Sequence, residues 1–212
     1  MPASSKVVPQ TSLTPVWIGV FAALILWTFM FRVNYGNFWI WMVISTSSLS
    51  LLSYFNDRDI LNRDLSWSKI LLWGIGSAII LYWIFVVGDI LTQSFMNQDQ
   101  QIDSIYGRKS QLPQWIVGLL LVFPIGPGEE IFWRGFVQKR MAKKWNPWVG
   151  FLIAGLAYTA VHIPSMNLML IGAAGVCGVF WGLLYKMTGS VLPGIISHAV
   201  WDVSIFVLFP VQ

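Results

Sequence analysis

The sequence predicts an all-α fold, a polytopic transmembrane bundle of seven to eight helices. Three observations predict it. The 212 residues are 56% hydrophobic and only 10% charged, against about 25% charged in a soluble domain. The apolar residues fall into runs of about twenty, long enough to cross a bilayer. Many of the 13 tryptophans sit near the ends of those runs, where an amphipathic ring suits headgroup depth.

Residues 1–15 are polar with three prolines and read as a mobile tail ahead of one integral membrane domain, 16–212. No small-residue cleavage site follows the first apolar run, so it reads as a retained span and not a removed signal. Spans are expected at 16–33, 38–55 and 69–91, with a charged loop at 56–68. Asp89 lies near the end of the third span and is assigned to interfacial water. The polar stretch 92–114 reads as a solvated connector, with a short interfacial helix over Q-I-D-S-I-Y-G-R-K as the alternative.

The fourth run, 115–138, is interrupted by Pro124, Gly126, Pro127 and Gly128. Proline removes a backbone donor and clashes with the preceding turn. Such a break at membrane depth is tolerated where the backbone is buried in protein or lines a wet cavity. It sets Glu129 and Glu130 in the first turn of the resumed helix, where the dipole favours negative charge. Residues 139–146 read as a basic loop. The last spans are expected at 147–163, 165–185 and 190–209. Gly172, Gly175, Gly178 and Gly182 in the sixth are assigned to close helix packing. The lone cysteine, Cys177, excludes an internal disulfide and reads as a small core residue.

Lys6, Arg58, Arg63, Lys69, Lys139, Arg140, Lys143, Lys144 and Lys186 would share one side, and Arg32, Arg108 and Lys109 the other. The excess places the first set in the cytoplasm, with the N-terminus inside and the C-terminus outside. The net charge of +4 therefore reads as orientation. No basic run interleaved with aromatics points to nucleic acid, and the expected surroundings are membrane lipid, in a bacterial cell membrane.

Within this apolar chain Glu129 and Glu130 are the only glutamates, and His162 and His198 the only histidines. A charge at the bilayer centre costs roughly 2.5–3.5 kcal/mol on insertion scales, so an intramembrane carboxylate is a functional-site hypothesis once a partner is named. Glu130 and Arg134 are four apart and share a helix face. Tyr158 and His162 repeat that spacing on the fifth span, and His198 and Asp202 on the seventh. Taken singly, an Arg–Glu pair is more often structural, and a lone histidine more often an interhelical hydrogen bond. Together they gather every Glu and His of the chain on three faces. A carboxylate and two imidazoles can polarise water. If a metal is bound, Glu129, His162 and His198 would ligate it, and zinc (Zn2+) is the ion that such donors favour. Ser197 adjoins His198 but faces another way and is set aside as a nucleophile. Helix rise leaves one mismatch. Glu129 lies about 15 Å from the helix end at Lys139 and His198 about 14 Å from Gly189, whereas His162 lies about 24 Å from Asn146.

E-E-I-F-W-R-G-F at 129–136, Tyr158-Thr-Ala-Val-His162 and His198-Ala-Val-Trp-Asp202 resemble the three motifs of the CPBP intramembrane protease family. That family includes CAAX prenyl endopeptidases of the Rce type and relatives linked to bacteriocin processing and immunity. The resemblance covers about 112–210 and has Tyr where Phe is commoner. It implies hydrolysis of a peptide bond in a peptide or protein substrate near the membrane. By carry-over Glu129 and His162 would activate water, and His198 and Asp202 would bind the oxyanion or complete the cavity. Glu130 and Arg134 would hold the site in shape. A catalytically silent immunity protein and a proton-coupled transporter are the competing functions. The absence of an internal repeat weighs against the transporter.

Overall fold

Apolar helices that cannot hide their backbone groups from lipid must satisfy them internally, so spanning segments are helical throughout. The computed structural model describes residues 12–33, 35–61, 64–93 and 98–211, and among these there is no strand. Six of their helical segments are long and apolar enough to cross a membrane, and Leu192–Leu208 is a shorter apolar one. The chain is an integral, multi-pass membrane protein.

Helices α1 (Thr14–Arg32), α2 (Phe38–Asn56) and α3 (Trp67–Thr92) match the first three expected spans to within two residues at each end. Residues 1–11 of the expected tail lie outside the described residues, and α1 already begins at Thr14. Asn37 starts α2 in a regular way, its side chain accepting from the Trp39 amide at 2.9 Å, one of the donors a helix N-terminus leaves open.

The stretch expected as a solvated connector is instead helical. It contains α4 (Gln98–Tyr106) and a 3-10 turn, Gly107–Gln111. Parts of it are bonded into the bundle, while Asp99, Gln100 and Asp103 are exposed. Asn167 Nδ2 donates to the Gln101 carbonyl at 2.7 Å. Trp39 Nε1 donates to the Arg108 carbonyl at 3.0 Å, and the Arg108 guanidinium lies 4.6 Å from the Phe38 ring. Asp89 accepts from Gln98 Nε2 at 2.8 Å, which gives it a protein partner as well.

The fourth pass, Gln114–Lys144, is 31 residues long and kinked at Phe123. It comprises α5 (Gln114–Leu120), α6 (Gly126–Glu130) and α7 (Lys139–Lys144), joined by wider π-type turns over Leu121–Ile125 and Ile131–Gln138. The expected break is real but local. Phe123 has extended dihedrals (φ −148°, ψ 117°), and the Phe123–Pro124 peptide is cis. The basic loop expected at 139–146 is a correction: Lys139–Lys144 continues the helix. Lys139 is paired with Asp57 at 3.0 Å, and Arg140 donates to the Asn56 carbonyl, so both help hold the α2–α3 loop. With the helix running to Lys144, Glu129 lies about 22 Å from its end by helix rise, close to the figure for His162 and no longer to the about 14 Å of His198 from Gly189.

Helix α8 (Pro147–Ala160) ends in a 3-10 turn, Ile163–Ser165. Helix α9 (Leu168–Thr188) follows, then α10 (Leu192–Val203), which continues as a π-type turn over Ser204–Leu208. Asn146 caps α8, accepting from Trp148 and Val149 amides. Gly189 closes α9 at φ +66°, a left-handed conformation that an L side chain rarely adopts. The last carbonyls are not left open: Tyr106 Oη donates to Ile205 at 3.1 Å and Gln114 Nε2 to Val207 at 2.8 Å.

Close helix approach explains two of the four glycines of the stripe in α9. A Cβ on Gly182 would meet Phe151 at 2.9 Å, and one on Gly178 would meet the Gly155 carbonyl at 3.3 Å. Gly175 is in ordinary contact distance of Thr159, whereas Gly172 has nothing within 4 Å. The closest approach of backbone to backbone is elsewhere. A Cβ on Gly150 would lie 2.6 Å from the Ala142 nitrogen and 2.7 Å from the Gln138 carbonyl. Those are backbone atoms and cannot swing away. Gly150→Ala should therefore destabilise the bundle by about 1–3 kcal/mol, the usual range for overpacking, read as a lowered melting temperature in detergent. Gly172→Ala should leave that temperature unchanged.

Candidate active site

The polar residues singled out in the sequence lie in two adjoining clusters, linked through the peptide bond between Glu129 and Glu130. All of them are buried: Glu129 is 5% exposed, Glu130 0%, Arg134 2%, Tyr158 5%, His162 7%, His198 4% and Asp202 4%.

The first cluster is built on Glu130. One oxygen, Oε1, accepts from Arg134 at 2.9 Å and lies 3.1 Å from His198 Nδ1. An ionised carboxylate only accepts, so His198 carries a proton on Nδ1. Arg134 completes its fork on α9, donating to the carbonyls of Cys177 at 3.2 Å and Gly178 at 3.4 Å. Its guanidinium also lies 4.8 Å from the Tyr158 ring. The wide turn over Ile131–Gln138 begins one residue after Glu130, yet the i, i+4 pairing with Arg134 survives it. The other nitrogen of His198, Nε2, is 3.6 Å from Asp202 Oδ2, close enough for charge attraction but longer than a hydrogen bond.

Two residues that carry no motif letter shape this cluster. The Trp181 ring stacks on His198 at 3.7 Å and 19°, and Trp181 Nε1 donates to Ser197 Oγ at 3.1 Å. Ser197 thus anchors the indole that stacks on His198. Gly194 lies against Glu130: an added Cβ would stand 2.7 Å from Oε2. That oxygen has no hydrogen-bond partner among the described residues.

The second cluster is built on Tyr158. Its hydroxyl donates to Glu129 Oε2 at 2.8 Å, and its carbonyl lies 2.8 Å from His162 Nδ1. Glu129 and His162 are therefore held by opposite ends of one residue, with no direct hydrogen bond between them. His162 sits just beyond α8, at the start of the 3-10 turn, so its i, i+4 relation to Tyr158 is a side chain bonding back to a backbone carbonyl. Its Nε2 accepts from Trp27 Nε1 at 3.4 Å. Trp27 was not singled out from the sequence, because one indole among 13 in an apolar run carries no signal.

The residues named as ligands for a bound metal do not assemble as a set. Among the described residues, no group of three or more His, Cys, Asp or Glu is arranged to hold an ion. Both nitrogens of His162 are engaged by Tyr158 and Trp27, and those of His198 face Glu130 and Asp202. As arranged, the donors do not fit a zinc shell, and no chemical step is drawn through one.

What the arrangement offers is a carboxylate and an imidazole on one residue's two ends, beside a second imidazole braced by two carboxylates and an indole. That is the equipment for activating water and stabilising a developing negative charge in a poorly solvated centre.

Residues 111–204, a little under half of the chain, match the family described as type II CAAX prenyl endopeptidase Rce1-like. A relative from Escherichia coli, described as an uncharacterized 24.3 kDa protein, is 25% identical over 130 residues, 59% of this chain and 58% of its own length. The chain thus spans less than two thirds of that relative. No solved structure matches. The matched stretch contains all three motifs, so over these residues the chain is similar to CAAX-type membrane proteases.

Proposed function

We propose that the chain is an intramembrane endopeptidase that hydrolyses a peptide bond of a membrane-associated peptide or protein with an activated water. The observation that carries this reading is the pairing of Glu129 and His162 through Tyr158, inside a stretch matching a family of CAAX-type proteases.

In this reading Glu129 is the general base. Tyr158 holds one of its oxygens, which turns the carboxylate and leaves the other to take a proton from water. The two adjacent glutamates differ in a way that suits this division. Glu130 is sealed at 0% exposure and committed to Arg134 and His198, whereas Glu129 keeps 5%. His162 is the second partner of the water: at rest its Nε2 lone pair accepts from Trp27 Nε1, and the water takes that one acceptor position when Trp27 yields it. As the hydroxide adds to the carbonyl carbon, the C=O electron pair becomes an oxyanion, and collapse expels the amine, which takes a proton from Glu129. His198 is the donor to that oxyanion. With Nδ1–H given to Glu130, a second proton on Nε2 would face both the oxyanion and Asp202. Asp202, with Oδ2 at 3.6 Å from that nitrogen, orients His198.

Glu129→Gln should lower the rate of cleavage at least about 100-fold, the lower range for loss of a general base, with the melting temperature retained. Purified protein incubated with membrane-reconstituted candidate peptides and read by mass spectrometry checks this, and undiminished cleavage would remove Glu129 from the mechanism. The same variant should trap bound polypeptide and so identify the substrate. Recovery of an intact peptide that wild-type protein never cuts would favour an immunity protein.

Arg134→Met should act differently. It strands the Glu130 charge in the bundle and should cost about 3–5 kcal/mol of stability, as breaking a buried pair does. A melting temperature equal to that of wild type would contradict the structural role. Chelator-treated protein is expected to keep its activity, given the donor arrangement. Loss on chelation with recovery on added zinc would instead assign a metal.

A further inference from the structure

His162 is restrained at both ring nitrogens, and the second restraint comes from outside the matched stretch 111–204. Nδ1 lies 2.8 Å from the Tyr158 carbonyl, which only accepts, so Nδ1 carries the proton. Nε2 then bears the lone pair. Trp27 Nε1–H, from α1 and 135 residues earlier in the chain, points at it from 3.4 Å. The indole is 1% exposed and meets the imidazole edge-on, at 6.2 Å and 74°. It is therefore fixed in place by packing. An indole N–H donates and cannot accept, so it can pair only with an unprotonated Nε2.

We propose that Trp27 is a positioning residue for His162, its N–H selecting the tautomer and ring setting in which Nε2 is free of a proton. The proposal rests on the reading of His162 as a partner of the reacting water. It also has a directional consequence. If Nε2 gains a proton, two N–H groups face one another and the contact with Trp27 is lost. Trp27 holds the ring while it accepts and releases it once it donates. The first helix thus contributes a functional contact to a site whose motif residues all lie beyond Gln111.

The test uses full-length protein in lipid nanodiscs, labelled with 15N-histidine. Only two histidines are present, and His162→Gln assigns their signals. In wild type, His162 should show a single Nδ1–H tautomer with a hydrogen-bonded Nε2. Trp27→Phe should move the Nε2 signal toward the unbonded value or average the two tautomers. With a substrate peptide, kcat should fall about tenfold, the effect of losing one hydrogen bond, with KM unchanged within about twofold. Replacing Trp27 by benzothienylalanine, which keeps the ring volume but has sulfur in place of N–H, should reproduce both changes and decides the matter if Trp27→Phe fails to fold. Unchanged histidine signals, a benzothienylalanine protein that behaves as wild type, or a tautomer change with kcat intact would each overturn the proposal. The nitrogen signals need no substrate, so they remain decisive even if no peptide is cleaved and the protease reading itself falls.

Discussion

Glu130 is sealed from solvent in the middle of a bundle that is otherwise almost wholly apolar. A buried carboxylate without partners is costly, and removing one member of a buried pair strands the other. Most of the polar architecture of the centre can be read as the answer to that cost. Arg134 reaches Glu130 along its own segment and then ties to α9 carbonyls, while His198 arrives from α10. Three segments of the bundle are joined by one carboxylate oxygen and the groups bonded to it. The approach of α10 is close enough that Gly194 has no room for a side chain beside that carboxylate.

The adjoining glutamate is held quite differently. Glu129 has a neutral phenol as its partner and not a cation, and it keeps a small share of its surface accessible. Glu130, by contrast, has Arg134 and His198 gathered on one oxygen and no exposed surface. Two neighbours with one side-chain chemistry are thereby divided into a structural ion and a candidate base. The difference arises from which face of the segment each occupies. It does not arise from anything in the dipeptide itself.

The irregular backbone of the fourth pass serves the same centre. Extended Phe123 and the wide turn over Ile131–Gln138 flank the two glutamates on either side. Wide turns of this kind are frequent at functional sites. Here one follows Glu130 directly while Arg134 stays within its reach. The glycines before the glutamates allow neighbours to come close: Gly128 lies against Thr46 and Ser50 of α2, and Gly126 against the His198 ring.

The fold class, the spans and the concentration of polar groups on three segments were all legible in the sequence. Hydropathy and the scarcity of Glu and His are local properties, and a bilayer converts them directly into helices with inward-facing charges. The extent of the fourth pass was not legible, because Lys139–Lys144 reads as a loop by charge. Only the surroundings show that Lys139 and Arg140 find partners in the α2–α3 loop, which lets the helix run on. The division of roles between Glu129 and Glu130, the indole stacked on His198 and the contact from Trp27 to His162 were likewise beyond it. Each depends on which side chain arrives from a distant helix, at a distance and angle that no spacing along the chain encodes. Tertiary packing decided those matters, whereas the chemistry available to be packed was already written in the order of the residues.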